Sequence, residues 1–141
     1  MKVSENFSLQ EFIDKDTYRR FGDSSIWFID QRVILIAQLI RDRFGKGVTI
    51  NNKSYNMSGF RPPQTKVGAK LSQHRFGRAG DFKILGMENN GADEMREDII
   101  QNFEIYKKVG LTTIEHGDFS KTWLHADVRK VNQDTLKIVN P

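Results

Sequence analysis

The stretch LTTIEHGDFSKTWLHADVR, residues 111–129, decides the fold. Leu111 to His116 and Trp123 to Arg129 read as two strands, and Gly117-Asp118-Phe119-Ser120-Lys121 between them is turn chemistry, so the stretch predicts an antiparallel hairpin. His125 and Asp127 stand two apart in the second strand and point to the same face. Glu115 lies at the end of the first strand, across the hairpin from the His125 strand, while His116 should point the opposite way.

Upstream, Gly80 to Leu85 alternates as a strand, with Phe82 and Ile84 on one face and Asp81 on the other. Met87 to Gly91 is a polar connection. A helix follows over about Ala92 to Lys108, with Met95, Ile99, Phe103 and Tyr106 inward and Gly110 as its stop. Nearer the start, Ser8-Leu9-Gln10-Glu11 fits a capping box and predicts a short helix ending before Gly22. A longer helix should run from Ser25 to Phe44, because Val33, Ile36, Ala37, Ile40 and Phe44 recur at three- and four-residue steps. Gly45 and Gly47 would close it with left-handed backbone. Val48 to Ile50 reads as a strand, Tyr55 to Gly68 as a loop broken by Gly59 and Pro62-Pro63, and Thr135 to Val139 as an edge strand. Helices before and between a few strands imply an α+β fold: one small domain over residues 1–141, with helices packed on a small antiparallel sheet.

Composition narrows the chemistry. The 141 residues contain no cysteine and three histidines, so a disulfide scaffold, a thiolate metal site and a cysteine nucleophile are all excluded. Any metal must be held by His, Asp or Glu. The formal net charge is +4, but the Lys and Arg residues are scattered and no stripe marks a nucleic-acid partner. The most apolar run, Val33 to Ile40, is too short to span a bilayer and is flanked by Arg32 and Arg41, so no stable membrane insertion is expected. The opening residues lack an apolar signal region, which predicts synthesis in the cytoplasm. A monomer is expected.

His74 sits in a loop and Asp81 at the start of a strand. If the hairpin lies beside that strand, His74, Asp81 and His125 converge. Two imidazoles and one carboxylate suit a zinc ion and leave its fourth position open, as catalytic zinc sites do. The competing reading takes each histidine as an ordinary polar residue satisfied by its neighbours.

The pattern Ser72-x-His74-x-x-Gly77-x-Ala79-x-Asp81, followed by Trp123-x-His125-x-Asp127, resembles the zinc D-Ala-D-Ala metallopeptidase family. That family includes D-Ala-D-Ala carboxypeptidases and phage L-Ala-D-Glu endolysins, within a group that also holds lysostaphin-type enzymes and the hedgehog signalling domain. Ser58-Gly59-Phe60-Arg61-Pro62 resembles its Ser-Gly-Tyr-Arg-Pro segment, and Asn6 to Phe12 resembles the start of phage and bacterial members.

The resemblance implies that His74, Asp81 and His125 bind one zinc ion. It further implies that Arg61 contacts substrate and steadies the oxyanion, that Ser72 helps bind substrate, and that the substrate is a peptidoglycan stem peptide. The chain departs from the carboxypeptidase pattern at Thr122, where those members carry the catalytic Glu. Glu115 is the best substitute as general base, and the hedgehog-like branch also carries a Glu on that strand. Asp127 is either a base or the hydrogen-bond partner of a metal-bound His125. Trp123, Phe60 and Phe76 flank the motifs and are given no role.

The function expected is that of a phage-type endolysin, an endopeptidase reaching the cell wall after phage-mediated release. The alternatives are a D-Ala-D-Ala carboxypeptidase and, from another class, a zinc-containing binding or virion structural module without catalysis.

Overall fold

The computed structural model describes residues 1–53, 56–130 and 134–141, and it packs four α-helices on a five-stranded mixed sheet. The chain begins with a 3-10 turn over Leu9–Glu11, where the Glu11 carboxylate accepts the Ser8 amide at 2.8 Å. The first helix expected from the capping box is divided here. Phe12 and Ile13 turn into the core, and Asp14 starts α1 (Lys15–Phe21) afresh by accepting the amides of Asp16 and Thr17.

The second helix also starts later than the periodicity suggests. Gly22–Phe28 is a 3-10 segment, Ile29 is extended, and Asp30 caps α2 (Gln31–Phe44). Its inner face is Val33, Ile34, Ile36, Ala37 and Ile40, all buried. Each large aliphatic side chain buried in this way stabilises the fold by about 1.5–3 kcal/mol. Gly45 ends α2 with φ 61°, whereas Gly47 has no positive φ and instead offers its carbonyl to the Leu85 amide at 2.8 Å. The loop expected from Tyr55 to Gly68 carries no helix or strand over its described residues, and Tyr55 itself lies outside them.

The sheet is formed by β1 (Val48–Thr49), β2 (Ala79–Ile84), β3 (Thr113–Glu115), β4 (Leu124–Asp127) and β5 (Lys137–Val139), in the order β1-β2-β4-β3-β5. The β3–β4 hairpin is antiparallel, as expected, and β2 pairs antiparallel with both β1 and β4. The tail does add an edge strand, but β5 runs parallel to β3, so the sheet is antiparallel over four strands and mixed at its last edge. β5 follows β4 in the chain but pairs with β3, and because β3 is antiparallel to β4, a reversal of direction after β4 makes β5 parallel to β3.

Between β2 and β3, the helix expected as one piece is two, α3 (Gly91–Gln101) and α4 (Phe103–Lys108). Asn102 breaks it by donating its side-chain amide to the Asp98 carbonyl and carboxylate at 3.1 and 2.9 Å. The bend brings the Tyr106 hydroxyl onto Asp98 Oδ2, while Arg43 from α2 grips the same carboxylate. Met95, Ile99 and Tyr106 are fully buried and Phe103 partly so.

The two faces of the sheet differ in kind. Phe82, Ile84, Ile114, Leu124 and Ala126 join the apolar core. The opposite face carries Asp81, His125 and Asp127, each buried although polar. Among the described residues no helix is long and apolar enough to cross a membrane.

Candidate metal centre

Asp81 on β2 and His125 on β4 are direct register partners, so their side chains emerge side by side. His74 reaches them from above, on a 3-10 turn over Gln73–Phe76 rather than in an open loop. Gly77 makes that turn possible: it has φ 65°, and a Cβ there would fall on the Phe28 carbonyl.

His74 Nε2 lies 3.1 Å from Asp81 Oδ1 and 3.2 Å from His125 Nδ1, and His125 Nδ1 lies 2.9 Å from Asp81 Oδ1. Tetrahedral coordination with bonds near 2.0–2.1 Å separates ligand atoms by about 3.3 Å. The three residues can therefore hold a metal ion.

Each candidate ligand is fixed from behind. The Gly59 carbonyl accepts from His74 Nδ1 at 2.8 Å, which leaves Nε2 as the metal-facing atom. Asp127 Oδ2 accepts from His125 Nε2 at 3.1 Å, which leaves Nδ1. Arg61 Nη2 donates to Asp81 Oδ2 at 2.9 Å, which leaves Oδ1.

Gly59 earns its place in the Ser58-Gly59-Phe60-Arg61 segment by packing. A Cβ on it would lie 2.1 Å from the Phe12 carbonyl, which accepts the Phe60 amide at 2.8 Å. Gly59→Ala must push this segment away. We expect it to destabilise the protein by about 1–3 kcal/mol and to weaken metal binding through His74, as thermal unfolding and metal titration would report. Unchanged values in both would remove the packing account.

Burial opposes charge on Asp81, but His74 and His125 beside it outweigh that and hold its carboxyl well below the usual carboxylate range. Burial likewise opposes a charged His125, yet Asp127 and Asp81, with Glu115 nearby, push its imidazole up to about 9. In the metal-free protein this charged imidazole stabilises the fold fully below its ordinary value of 6.5, and the contribution is lost as pH rises through about 9. Chelator-treated protein should therefore lose up to about 3 kcal/mol between those limits. Metal-loaded protein should not, because both ligating imidazoles are already neutral. Unfolding measured across that range with and without metal checks this, and a flat profile for the chelated protein would refute it.

His74, Asp81 and His125 line a cleft of about 480 Å³ together with Arg61, Ser72, Glu115, Trp123 and Arg129. Arg61 is buried, with Nε donating to the Met57 carbonyl at 2.6 Å, so it is a tied loop arginine and a cleft residue at once. Ser72 precedes the 3-10 turn and is half-buried. Glu115 Oε1 is 3.9 Å from His125 Nδ1. Asp127 is fully buried between His125 and Arg129, the place of a hydrogen-bond partner. Thr122 is exposed and lines a neighbouring cleft with Glu88 and Asp93.

Three contributors escape the sequence reading. The Gly59 carbonyl leaves no side-chain signal. Arg129 follows Asp127 at the two-residue spacing that already linked His125 to Asp127, and that repeat could have flagged it. Arg96 looks like surface charge on a helix, yet it is buried and donates to the carbonyls of Glu115, Ser120 and Trp123. It thereby ties α3 to the connection between Glu115 and His125. No family model matches the chain, and no curated protein or solved structure matches it.

Proposed function

We propose that the protein is a zinc-dependent peptidase that cuts a peptide bond in peptidoglycan stem peptides, as an endolysin-type endopeptidase. The observation that carries this reading is the convergence of His74 Nε2, Asp81 Oδ1 and His125 Nδ1 in a cleft, each with its other polar atom already engaged. The Ser-x-His-x-x-Gly-x-Ala-x-Asp pattern supports it independently. A zinc ion held by these residues supplies a Lewis acid and acidifies water.

The chain's own groups supply the rest. Glu115 takes a proton from the attacking water and returns it to the leaving amine. Arg61, held by Met57 and Asp81, keeps its positive charge beside the oxygen that gains negative charge. Ser72 contacts the peptide near the ligands. Asp127 keeps His125 in the tautomer that binds through Nδ1.

The test is metal analysis of the purified protein together with digestion of peptidoglycan, with and without chelator. Zinc at one per chain, with chelator-sensitive loss of crosslinks, is the expected result. Release of free D-alanine instead would mark a carboxypeptidase. The position of Thr122, away from the ligands, favours one further reading, a zinc-bearing module without catalysis. Zinc-loaded protein that hydrolyses nothing would decide for it.

A further inference from the structure

We propose that Arg129 anchors a substrate carboxylate, so that the metal cleft selects peptides with a free carboxylate close to the scissile bond. The proposal rests on the peptidase reading and adds the chemistry by which substrate is chosen. Arg129 stands just past the end of β4. Its Nε donates to Asp127 Oδ1 at 2.8 Å and its Nη2 to Oδ2 at 2.5 Å, while its own backbone amide donates to Oδ1 at 3.1 Å. That grip occupies one edge of the guanidinium. Nη1 has no hydrogen-bond partner among the described residues, and the side chain, 26% exposed, lines the cleft that holds the ligands.

A guanidinium has five N–H donors in a rigid plane. With one edge clamped, the fork formed by Nη1 and the outer hydrogen of Nη2 is pre-oriented and takes no partner among the described residues, and it matches a carboxylate in the bidentate mode. Asp127 cannot turn to compete, because it is fully buried and its two oxygens serve His125 and Arg129. The charge balance agrees. The acidic residues lining the cleft are Asp81 and Glu115 and the basic ones, besides the ligand histidines, are Arg61 and Arg129, so a divalent ion leaves the cleft positive. Both guanidiniums hold an aspartate, but Arg61 is buried and also donates to the Met57 carbonyl, whereas Arg129 is 26% exposed, which makes Arg129 the more accessible partner.

A stem peptide offers such a group in two places, the α-carboxylate of a γ-linked glutamate and the C-terminal carboxylate. Four synthetic stem tetrapeptides separate them, with the glutamate α-carboxyl free or amidated, crossed with the C-terminus free or amidated. Each is assayed with zinc-loaded wild type, Arg129→Gln and Arg129→Lys, by cleavage kinetics and by calorimetric binding, with zinc content measured in parallel.

Amidating the recognised carboxylate should raise KM and Kd of the wild type about 10–100-fold with kcat little changed. Arg129→Gln should treat acid and amide alike within about twofold, and Arg129→Lys should recover part of the preference. A glutamate effect assigns the internal group and a C-terminal effect the terminal one. A wild type indifferent at both positions, or an Arg129→Gln protein that keeps the preference, overturns the proposal. Peptides cut without preference would defeat the anchor and leave the peptidase reading intact. Carboxylate-dependent binding without any cleavage would do the reverse. Should Arg129→Gln fail to fold, Arg129→Lys decides: a preference undiminished from wild type overturns the anchor.

Discussion

Asp81→Asn is expected to weaken zinc binding about 1,000-fold and to destabilise the fold with it. Structural zinc in zinc-finger peptides binds with roughly 10–16 kcal/mol over four ligands, so the loss of one anionic ligand from a three-residue site is expected to cost about 4 kcal/mol. The carboxylate has a second duty, because its Oδ2 lies 2.9 Å from the guanidinium of Arg61 and both side chains are 9% exposed. Removing one partner of a buried pair leaves the other charge uncompensated and costs about 3–5 kcal/mol. Calorimetric zinc titration and denaturant unfolding measure the two effects separately. An Asp81→Asn protein that binds zinc within tenfold of wild type would exclude Asp81 as a ligand.

Glu115→Gln should have the opposite profile. Its side chain sits beside the ligands without being one of the three, so zinc affinity should stay near the wild-type value. Hydrolysis of stem peptides should fall by about 10²–10⁴ in kcat, the usual share of a general base. Asp127→Asn distinguishes the two carboxylates. It should lower zinc affinity by about 10–100-fold, with kcat restored at saturating zinc. Full activity in Glu115→Gln would remove this residue from the mechanism, and loss of kcat in zinc-saturated Asp127→Asn would make Asp127 the base.

The convergence of His74, Asp81 and His125 was legible because two of them lie on strands, where a two-residue period fixes which side chains share a face. His125 and Asp127 follow from that period alone, and Asp81 from its contrast with Phe82 and Ile84. The helix interruptions at Asp14, Asp30 and Asn102 were not legible in the same way. Apolar periodicity runs on through them, and the deciding event is a short polar side chain that bonds the backbone instead of letting the helix continue. The sense of β5 was hidden as well, since alternation in a strand says which face is buried and nothing about the direction of its neighbour. Arg96 was missed because a guanidinium whose donors are consumed by carbonyls looks, in one dimension, like one facing water.

The pairing of β2 with β4 sets when the three candidate donors come together. Asp81 and His125 are 44 positions apart in the chain, so a growing polypeptide presents two donors long before the third emerges from the ribosome. No half-made chain could enclose an ion with all three donors, so on the proposed reading loading would wait for sheet closure. An unfolded molecule offers scattered imidazoles with little affinity, so nearly all the binding free energy falls on the native state, about 4 kcal/mol at a free zinc concentration of 1,000 times Kd. If the site takes zinc as proposed, the melting midpoint becomes a gauge of zinc supply, and a cell short of the metal would carry this protein in its weaker, more degradable form.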